Sequence, residues 1–205
     1  MNYRKSLTAL AVAAGLTVAG CSNNQAEGPA EPGPATTSQT SQEAPHNSAD
    51  VEFAQQMIPH HEQALKMAQL ASTRAESPEV KKLATDIEAA QDPEIQTMTG
   101  WLETWGEDVP SGMGGHMMDD GQMMDGDQMG EGMMSDEDMG KLDKSSGAGF
   151  DRMFLTMMIE HHEGAIAMAK DEQRDGKDTA AIELAKQIES SQTAEIKLMR
   201  QLLAK

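Results

Sequence analysis

The sequence predicts an all-α fold, a four-helix bundle built from two repeated helical hairpins. Apolar residues recur at helical spacing through two long stretches, and the runs of β-branched and aromatic residues that indicate strands are nearly absent. The second stretch repeats the first at a distance of 101 residues, with nineteen identities between 50–104 and 151–205. Because one hairpin cannot bury the apolar stripes of both its helices, two hairpins packed face to face are the economical arrangement.

Residues 1–20 have the pattern of a lipoprotein signal peptide. Arg4 and Lys5 precede an apolar run over 7–18, which is too short to cross a membrane as a helix. Small residues then lead to Cys21, the single cysteine of the chain, as in a lipobox, so we expect cleavage before Cys21 and lipidation of its sulfur. The alternatives are an ordinary secretory signal with an incidental cysteine, or a short transmembrane anchor. Lipidation would place the protein on the extracytoplasmic face of the cell membrane, periplasmic or cell-surface.

Residues 21–49 are predicted to form a disordered tether between the lipid and the domain, because they are polar, rich in proline and almost free of large apolar side chains. The whole chain carries a formal net charge of −18, and loss of Arg4 and Lys5 with the signal makes it more negative. That charge argues against nucleic acid as a partner and favours cations. With Cys21 lipidated, no thiolate remains for a disulfide, a metal or a nucleophilic mechanism.

Each hairpin is predicted to contain two helices. Ser77 before Pro78 has the form of an N-cap followed by proline at the first helical position, and Gly176 and Asp178 supply a stop and a new cap in the second hairpin. Pro59 lies inside the first helix, where it should remove one backbone hydrogen bond and bend the helix. The predicted helices span about 51–74 and 78–105 in the hairpin 50–105, and about 149–174 and 179–204 in the hairpin 149–205.

Adjacent histidines lie on the inward face of the first helix in each hairpin. On a helical projection His60 and His61 straddle the stripe around Met57, and the same arrangement returns around Met158. A histidine or methionine on an apolar face is more often a packed core residue than a ligand. Burying two adjacent imidazoles twice is costly, however, because each ring nitrogen needs a partner, so a metal site is the stronger hypothesis. The candidate ligands are Met57, His60, His61, Met67, Met158, His161, His162 and Met168.

The second helix of each hairpin brings polar groups toward the same interior. Gln91 and Glu94 fall near the inward-facing Ile87, and an antiparallel hairpin places them beside the histidines and Met57. They are candidates for ligands, or for partners that orient the imidazoles, a role that metal-bound histidine usually needs. The residues considered for either role are Gln91, Glu94, Met98, Gln192, Glu195 and Met199.

Residues 106–148 are predicted to form a flexible insertion between the hairpins, because their glycines interrupt any helical period. Half of the chain's methionines lie here, among many Asp and Glu residues, and we expect them to form no core. Thioethers in adjacent pairs suit a soft monovalent ion such as Cu(I) or Ag(I). A solvated linker, a methionine oxidant sink and a degenerate calcium loop beginning at Asp125 are the alternatives. The candidate ligands in this segment are Met113, His116, Met117, Met118, Met123, Met124, Met129, Met133 and Met134.

The repeated pattern Met-Ile-x-His-His-x-x-Ala-x-x-Met-Ala, followed by Ile-x-x-x-Gln-x-x-Glu-Ile-x-x-Met, resembles the domain-of-unknown-function family numbered 305. The likeness covers both hairpins, about 50–205, and does not extend to the long insertion between them. The resemblance implies a ferritin-like four-helix bundle that is secreted or lipid-anchored. It also implies a metal role, with copper bound through His and Met in some members, and it implies no particular catalytic activity.

These observations favour a lipid-anchored copper-binding protein, with Cu(I) held by histidine and methionine, over two alternatives. A di-iron carboxylate oxidoreductase takes Glu-x-x-His from two of its helices, a motif that neither first helix supplies, so iron fits less well and an enzyme is not favoured. A metal-free envelope-stress or interaction lipoprotein would explain the tether but not the paired histidines. A homo-oligomer and a metal-transfer partner protein are both compatible with the sequence.

Overall fold

The computed structural model describes residues 45–110 and 130–205, which contain five helices and no strand. The long helices pair as two hairpins, α1 with α2 and α4 with α5, and the hairpins pack on each other mainly through α1 and α4. This confirms the predicted all-α bundle of two hairpins. The helices are α1 (Ser48–Arg74), α2 (Pro78–Trp105), α3 (Asp136–Lys144), α4 (Gly147–Asp175) and α5 (Thr179–Leu203).

The helix boundaries follow from local side chains. Ser77 and Asp178 cap α2 and α5 as predicted, since the Ser77 side chain accepts one hydrogen bond and the Asp178 side chain two from backbone amides of the first turn. Helix α1 begins three residues earlier than predicted, because Asn47 and Asp50 form a reciprocal capping box. Pro59 lies inside α1, and the helix continues past it to its end. The sequence therefore predicts the ends of the long helices to within a few residues.

Helix α3 is not predicted by the sequence. It lies within 106–148, the segment expected to be a flexible insertion. Ser135 caps it, acidic residues occupy its first turn and lysines its last, and this distribution of charge stabilises a helix. Leu142 of α3 is fully buried against the bundle. The part of the insertion from residue 130 onward is therefore ordered and packed on α1 and α4.

The interior consists of two apolar clusters with a polar layer between them. One cluster contains Met67 and Met158, and the other contains Met57, Met98 and Ala165. Helices α1 and α4 each carry two buried histidines, and α2 and α5 each carry a buried glutamine. Along each helix, these polar residues are preceded by residues of one cluster and followed by residues of the other. The polar layer comprises His60, His61, Gln91, His161, His162 and Gln192. The expected single interior is thus a polar layer bordered on both sides by thioethers.

Within 45–110 and 130–205, no helix is both long and apolar enough to cross a membrane. The predicted signal peptide, Cys21 and most of the tether lie outside the described residues. The same holds for the first seven candidate ligands of the insertion, which are Met113, His116, Met117, Met118, Met123, Met124 and Met129.

Candidate metal centre

His60 of α1 and His161 of α4 meet at the interface between the two hairpins. Their ring centroids lie 3.7 Å apart with the planes inclined at 39°, and the residues are 1% and 0% exposed. Among the described residues, none forms a hydrogen bond of good geometry with any of the four ring nitrogens, although the backbone of Glu131 approaches His60 and that of His60 approaches His161. Buried polar atoms without partners destabilise a fold, so such a cluster is expected where a ligand compensates for it.

Burial keeps both of these imidazoles neutral. It lowers the pKa of His60 to about 3, with the nearby His61 acting in the same direction and the backbone of Glu131 opposing the shift in part. Burial, together with the neighbouring His60 and His162, holds the pKa of His161 well below its ordinary value. A neutral imidazole retains a lone pair, so both rings are able to ligate a metal at neutral and mildly acidic pH.

The other two histidines are each paired with a carboxylate. His61 Nε2 donates to Glu94 Oε2 over 2.7 Å, and His162 Nε2 donates to Glu195 Oε2 over 2.6 Å. A proton on Nε2 leaves the lone pair on Nδ1, which in both rings is buried and unpartnered within the described ranges. A carboxylate that fixes the tautomer in this way is the usual partner of a metal-bound histidine. The two pairs occupy equivalent positions in the repeat, so the bundle contains this arrangement twice.

Glutamines and thioethers complete the surroundings of the histidines. Both amide atoms of Gln91 and Oε1 of Gln192 are buried, and the described part of the chain provides no hydrogen-bond partner for them. Met168 is only partly buried, beside the second apolar cluster. The other predicted thioethers of the bundle are fully buried in the two clusters; they are Met57, Met67, Met98, Met158 and Met199.

Within the described residues, neither the four imidazoles nor the carboxylates gather around one common centre. In residues 45–110 and 130–205, no three His, Cys, Asp or Glu side chains are arranged to hold one metal ion. Glu94 and Glu195 are instead about one-fifth exposed and contact the Nε2 side of their histidines. The remaining donors of the predicted set are thioether sulfurs, and imidazole with thioether is a combination suited to copper.

Met134 is buried in the bundle, contrary to its prediction. The sequence places it among loop thioethers that form no core, yet it is 7% exposed and packs in the cluster that contains Met67. Its neighbour Met133 is partly buried. Met134 is held in place because Gln63 of α1 forms two hydrogen bonds with its backbone. Met134 is therefore fixed on the bundle by a residue of α1, which lies outside the insertion.

Asp50, Gln63 and Glu172 are buried polar residues that the sequence patterns do not identify, and the last two of them break the repeat. Gln63 occupies the position that corresponds to Gly164 in the second repeat, and Glu172 corresponds to Ala71 in the first. Both positions face the interior, and both break the repeat by placing a polar side chain where its counterpart has a small residue. That difference between the two hairpins is the signal that could have indicated them.

The model of the family described as a domain of unknown function (DUF305) matches residues 50–203. The chain belongs to the DUF305 family. This confirms the resemblance found in the repeated histidine pattern. A DUF305 protein from Streptomyces coelicolor, described as secreted, has a crystal structure with 34% sequence identity and a TM-score of 0.66. The match covers 77% of this chain and 93% of that one.

CopM is a second solved structure that this DUF305 protein resembles. The Cu(II)-bound form has 34% identity and a TM-score of 0.63, over 76% of this chain and 95% of CopM. The Cu(I)-bound form has 33% identity and a TM-score of 0.59, over 75% and 94%. Uncharacterized protein L153 of Acanthamoeba polyphaga mimivirus is 39% identical over 54 residues, 26% of this chain. The chain spans 36% of the length of that curated relative.

Proposed function

We propose that this DUF305 protein binds copper outside the cytoplasm, as Cu(I) held by imidazole nitrogens and thioether sulfurs of the bundle interior. The observation that carries the proposal is the His60–His161 pair, whose buried ring nitrogens form no hydrogen bond of good geometry within the described residues. Neutral imidazoles bordered by thioethers form a donor set that favours copper over hard cations. The similarity to CopM, whose solved structures include a Cu(II)-bound and a Cu(I)-bound form, supports the choice of metal.

A di-iron centre fits these residues less well. Such centres need carboxylates that point into the bundle and bridge or chelate the metals. Glu94 and Glu195 each use one carboxylate oxygen on a histidine and remain partly exposed to solvent. The proposed role is therefore binding and handling of the ion, with no catalytic step assigned.

The proposal also includes a lipid anchor outside the cytoplasm and additional copper ligands in the insertion. The lipobox pattern that ends at Cys21 supports a lipid anchor on the extracytoplasmic face. The Streptomyces coelicolor relative is described as secreted, which supports a place outside the cytoplasm. The methionine pairs of the insertion, such as Met117 with Met118, would supply a second group of thioether ligands for Cu(I).

Anaerobic titration of the purified protein with Cu(I), against a competing chelator, tests the proposal. Replacing both His60 and His161 by leucine removes the four ring nitrogens while filling most of their volume, and should abolish the tightest copper binding. His46→Leu is the matched control, because His46 stacks on Trp105 and lies outside the polar layer. Parallel titrations with Cu(II), Zn(II) and Fe(II) establish the preference. Unchanged copper binding in the double variant would refute the site, and tighter binding of Fe(II) than of copper would refute the choice of metal.

A further inference from the structure

A short turn in the described part of the insertion lies across the interface where the two central histidines meet. We call this turn, residues 130–134, the strap. A hydrogen bond from the Met133 amide to the Gly130 carbonyl, 3.0 Å long, closes it. Ser135 then caps α3, which packs on α1 and α4 beyond the strap.

The strap contacts α4 backbone to backbone. Gly132 has a positive φ of 81°, and a Cβ there would lie 2.8 Å from the Glu160 carbonyl oxygen and 2.9 Å from the Gly164 Cα. A Cβ on Gly164 would in turn overlap the carbonyl group of Glu131. Glu160 and Gly164 flank His161 along α4, so the strap passes over the helical turn that carries this histidine. Glycine is required on both sides because the two backbones approach so closely.

On the other side, the strap is hydrogen-bonded to α1. The Gln63 Nε2 group donates to the Met134 carbonyl over 2.9 Å, and the Met134 amide donates to Gln63 Oε1 over 2.7 Å, both in a buried setting. The backbone of Glu131 also reaches His60, one turn earlier in α1. Gln63 and Gly164 are equivalent positions of the repeat. In the first repeat, the Gln63 side chain thus binds the strap. In the second repeat, Gly164 lacks a side chain and lets the strap backbone approach α4 closely.

We propose that the strap closes the route by which an ion reaches His60 and His161, and that Gln63 and Gly164 are the positioning residues that hold it closed. The identity of the ion rests on the proposed function, whereas closure over the imidazoles is a property of the metal-free protein. An ion enters and leaves only while the strap is lifted. Weakening either contact therefore raises the rates of uptake and release together, because the ligands themselves are unchanged.

Carbethoxylation of the imidazoles by diethylpyrocarbonate measures closure without any metal. In the full-length protein at neutral pH, peptide mass spectrometry follows the modification rate of each histidine. Gln63→Leu leaves the Met134 backbone groups without partners, and Gly164→Ala displaces the Glu131 carbonyl group. Each change should raise the rates at His60 and His161 at least tenfold while His46, outside the layer, keeps its rate.

Matched variants separate the strap from general effects on the helices. Gly100→Ala adds a methyl group to α2 where nothing lies within 4 Å, and Gln56→Leu alters an exposed residue of α1. Both should leave the rates at His60 and His161 unchanged. Equal acceleration at His60, His61, His161 and His162 in the strap variants would mean global opening and would overturn the proposal. Unchanged rates in both folded strap variants would overturn it as well; if Gly164→Ala does not fold, Gln63→Leu alone decides.

Metal exchange then relates the strap to copper. Release of Cu(I) to an excess of chelator, followed by stopped flow, should accelerate in Gln63→Leu by the same factor as carbethoxylation. If the protein binds no copper while carbethoxylation still responds to Gln63→Leu, the proposed function fails and the strap stands. If copper binds and neither rate responds, the proposed function stands and the strap inference fails.

Discussion

The carboxyl group of Glu172 in α4 lies beside that of Asp50 in α1, and the two form a buried pair. Asp50 accepts hydrogen bonds from the backbone amides of Asn47 at 2.6 Å, Lys177 at 2.9 Å and Asp178 at 2.8 Å. Glu172 is 2% exposed, and the described residues offer no donor to either of its oxygens. Glu172 is therefore accommodated as the neutral acid, whose O–H group donates a hydrogen bond to the Asp50 carboxylate. The pair ties the start of α1 to the turn between α4 and α5.

The protonation of Glu172 predicts a stability that falls as the pH rises. Burial, followed by the hydrogen bond to Asp50, raises the pKa of Glu172 from 4.5 to about 8. The folded state holds this proton more tightly than the unfolded state. Protonated Glu172 therefore contributes fully to the free energy of unfolding below its pKa in the unfolded chain, and this contribution is lost as the pH rises through its pKa in the folded protein. The slope reaches about 1.4 kcal/mol per pH unit between those values. Glu172→Gln should remove it, as measured by urea unfolding from about pH 5 to about pH 9.

The control for that experiment is Glu183→Gln, which changes an exposed carboxylate of α5. Its stability should follow the parent protein at every pH. If the Glu172→Gln curve runs parallel to that of the parent, Glu172 is ionised in the folded state and the shared proton does not exist.

Loss of the Asp50 carboxylate should destabilise the bundle strongly. Burial acts to raise the pKa of Asp50, but the amides of Asn47, Asp178 and Lys177 and the Glu172 side chain outweigh it and lower the pKa. Asp50→Ala leaves those amides without their acceptor and should cost about 3 kcal/mol of the unfolding free energy. Asp86→Ala, which removes an exposed carboxylate paired with Lys82, should cost well under about 1 kcal/mol. Similar losses in the two variants would contradict the role of Asp50.

Removal of the carboxylate behind His61 should weaken copper binding without unfolding the protein. Glu94→Ala leaves the Nε2–H group of His61 without its acceptor, so the tautomer and orientation of the ring are no longer fixed. We therefore expect a loss of about 10- to 100-fold in copper affinity. Glu103→Ala changes an exposed glutamate of the same helix and serves as the matched control. Affinity is measured by chelator competition and folding by circular dichroism. An affinity equal to that of the control would show that His61 is not a ligand.

Met134 should behave as a core residue, although it lies in the insertion. Met134→Ala removes a nearly fully buried thioether from the cluster around Met67 and should cost about 2 to 4 kcal/mol. Met133→Ala, at the adjacent and partly buried position, should cost less. Urea unfolding of the metal-free variants makes the comparison. Equal stability of Met134→Ala and the parent protein would mean that the strap is not packed on the bundle in solution.

Cys21→Ser should release the protein from the membrane. The sulfur of Cys21 is the predicted site of lipidation, and serine offers no thiol for that reaction. Fractionation of cells that express each form, with detergent phase partitioning, follows the anchor, and Ser22→Ala is the control. Copper stoichiometry should be the same in all forms. Retention of Cys21→Ser in the membrane fraction would contradict the lipobox prediction.

Much of the fold can be predicted from the sequence because the features that determine it are local and repeated. The period of apolar residues, the caps at Ser77 and Asp178, and the 101-residue repeat predict two hairpins and the ends of their long helices. The inward placement of His60 and His161 also follows from helical periodicity alone. The pairing of Glu94 with a histidine is within reach of the same reasoning, since antiparallel helices bring those positions side by side.

Only the tertiary structure decides the protonation state of His60 and the packing of the strap on the bundle. An ordinary histidine pKa of about 6.5 would predict protonation of all four imidazoles near pH 5. Burial at the α1–α4 interface instead lowers the pKa of His60 to about 3, and periodicity does not reveal how completely a side chain is removed from water. The strap is ordered by Gln63 and Gly164, which lie far from it along the chain and close to it in space. A sequence reports local preferences, whereas desolvation and backbone contact arise between segments that only folding brings together.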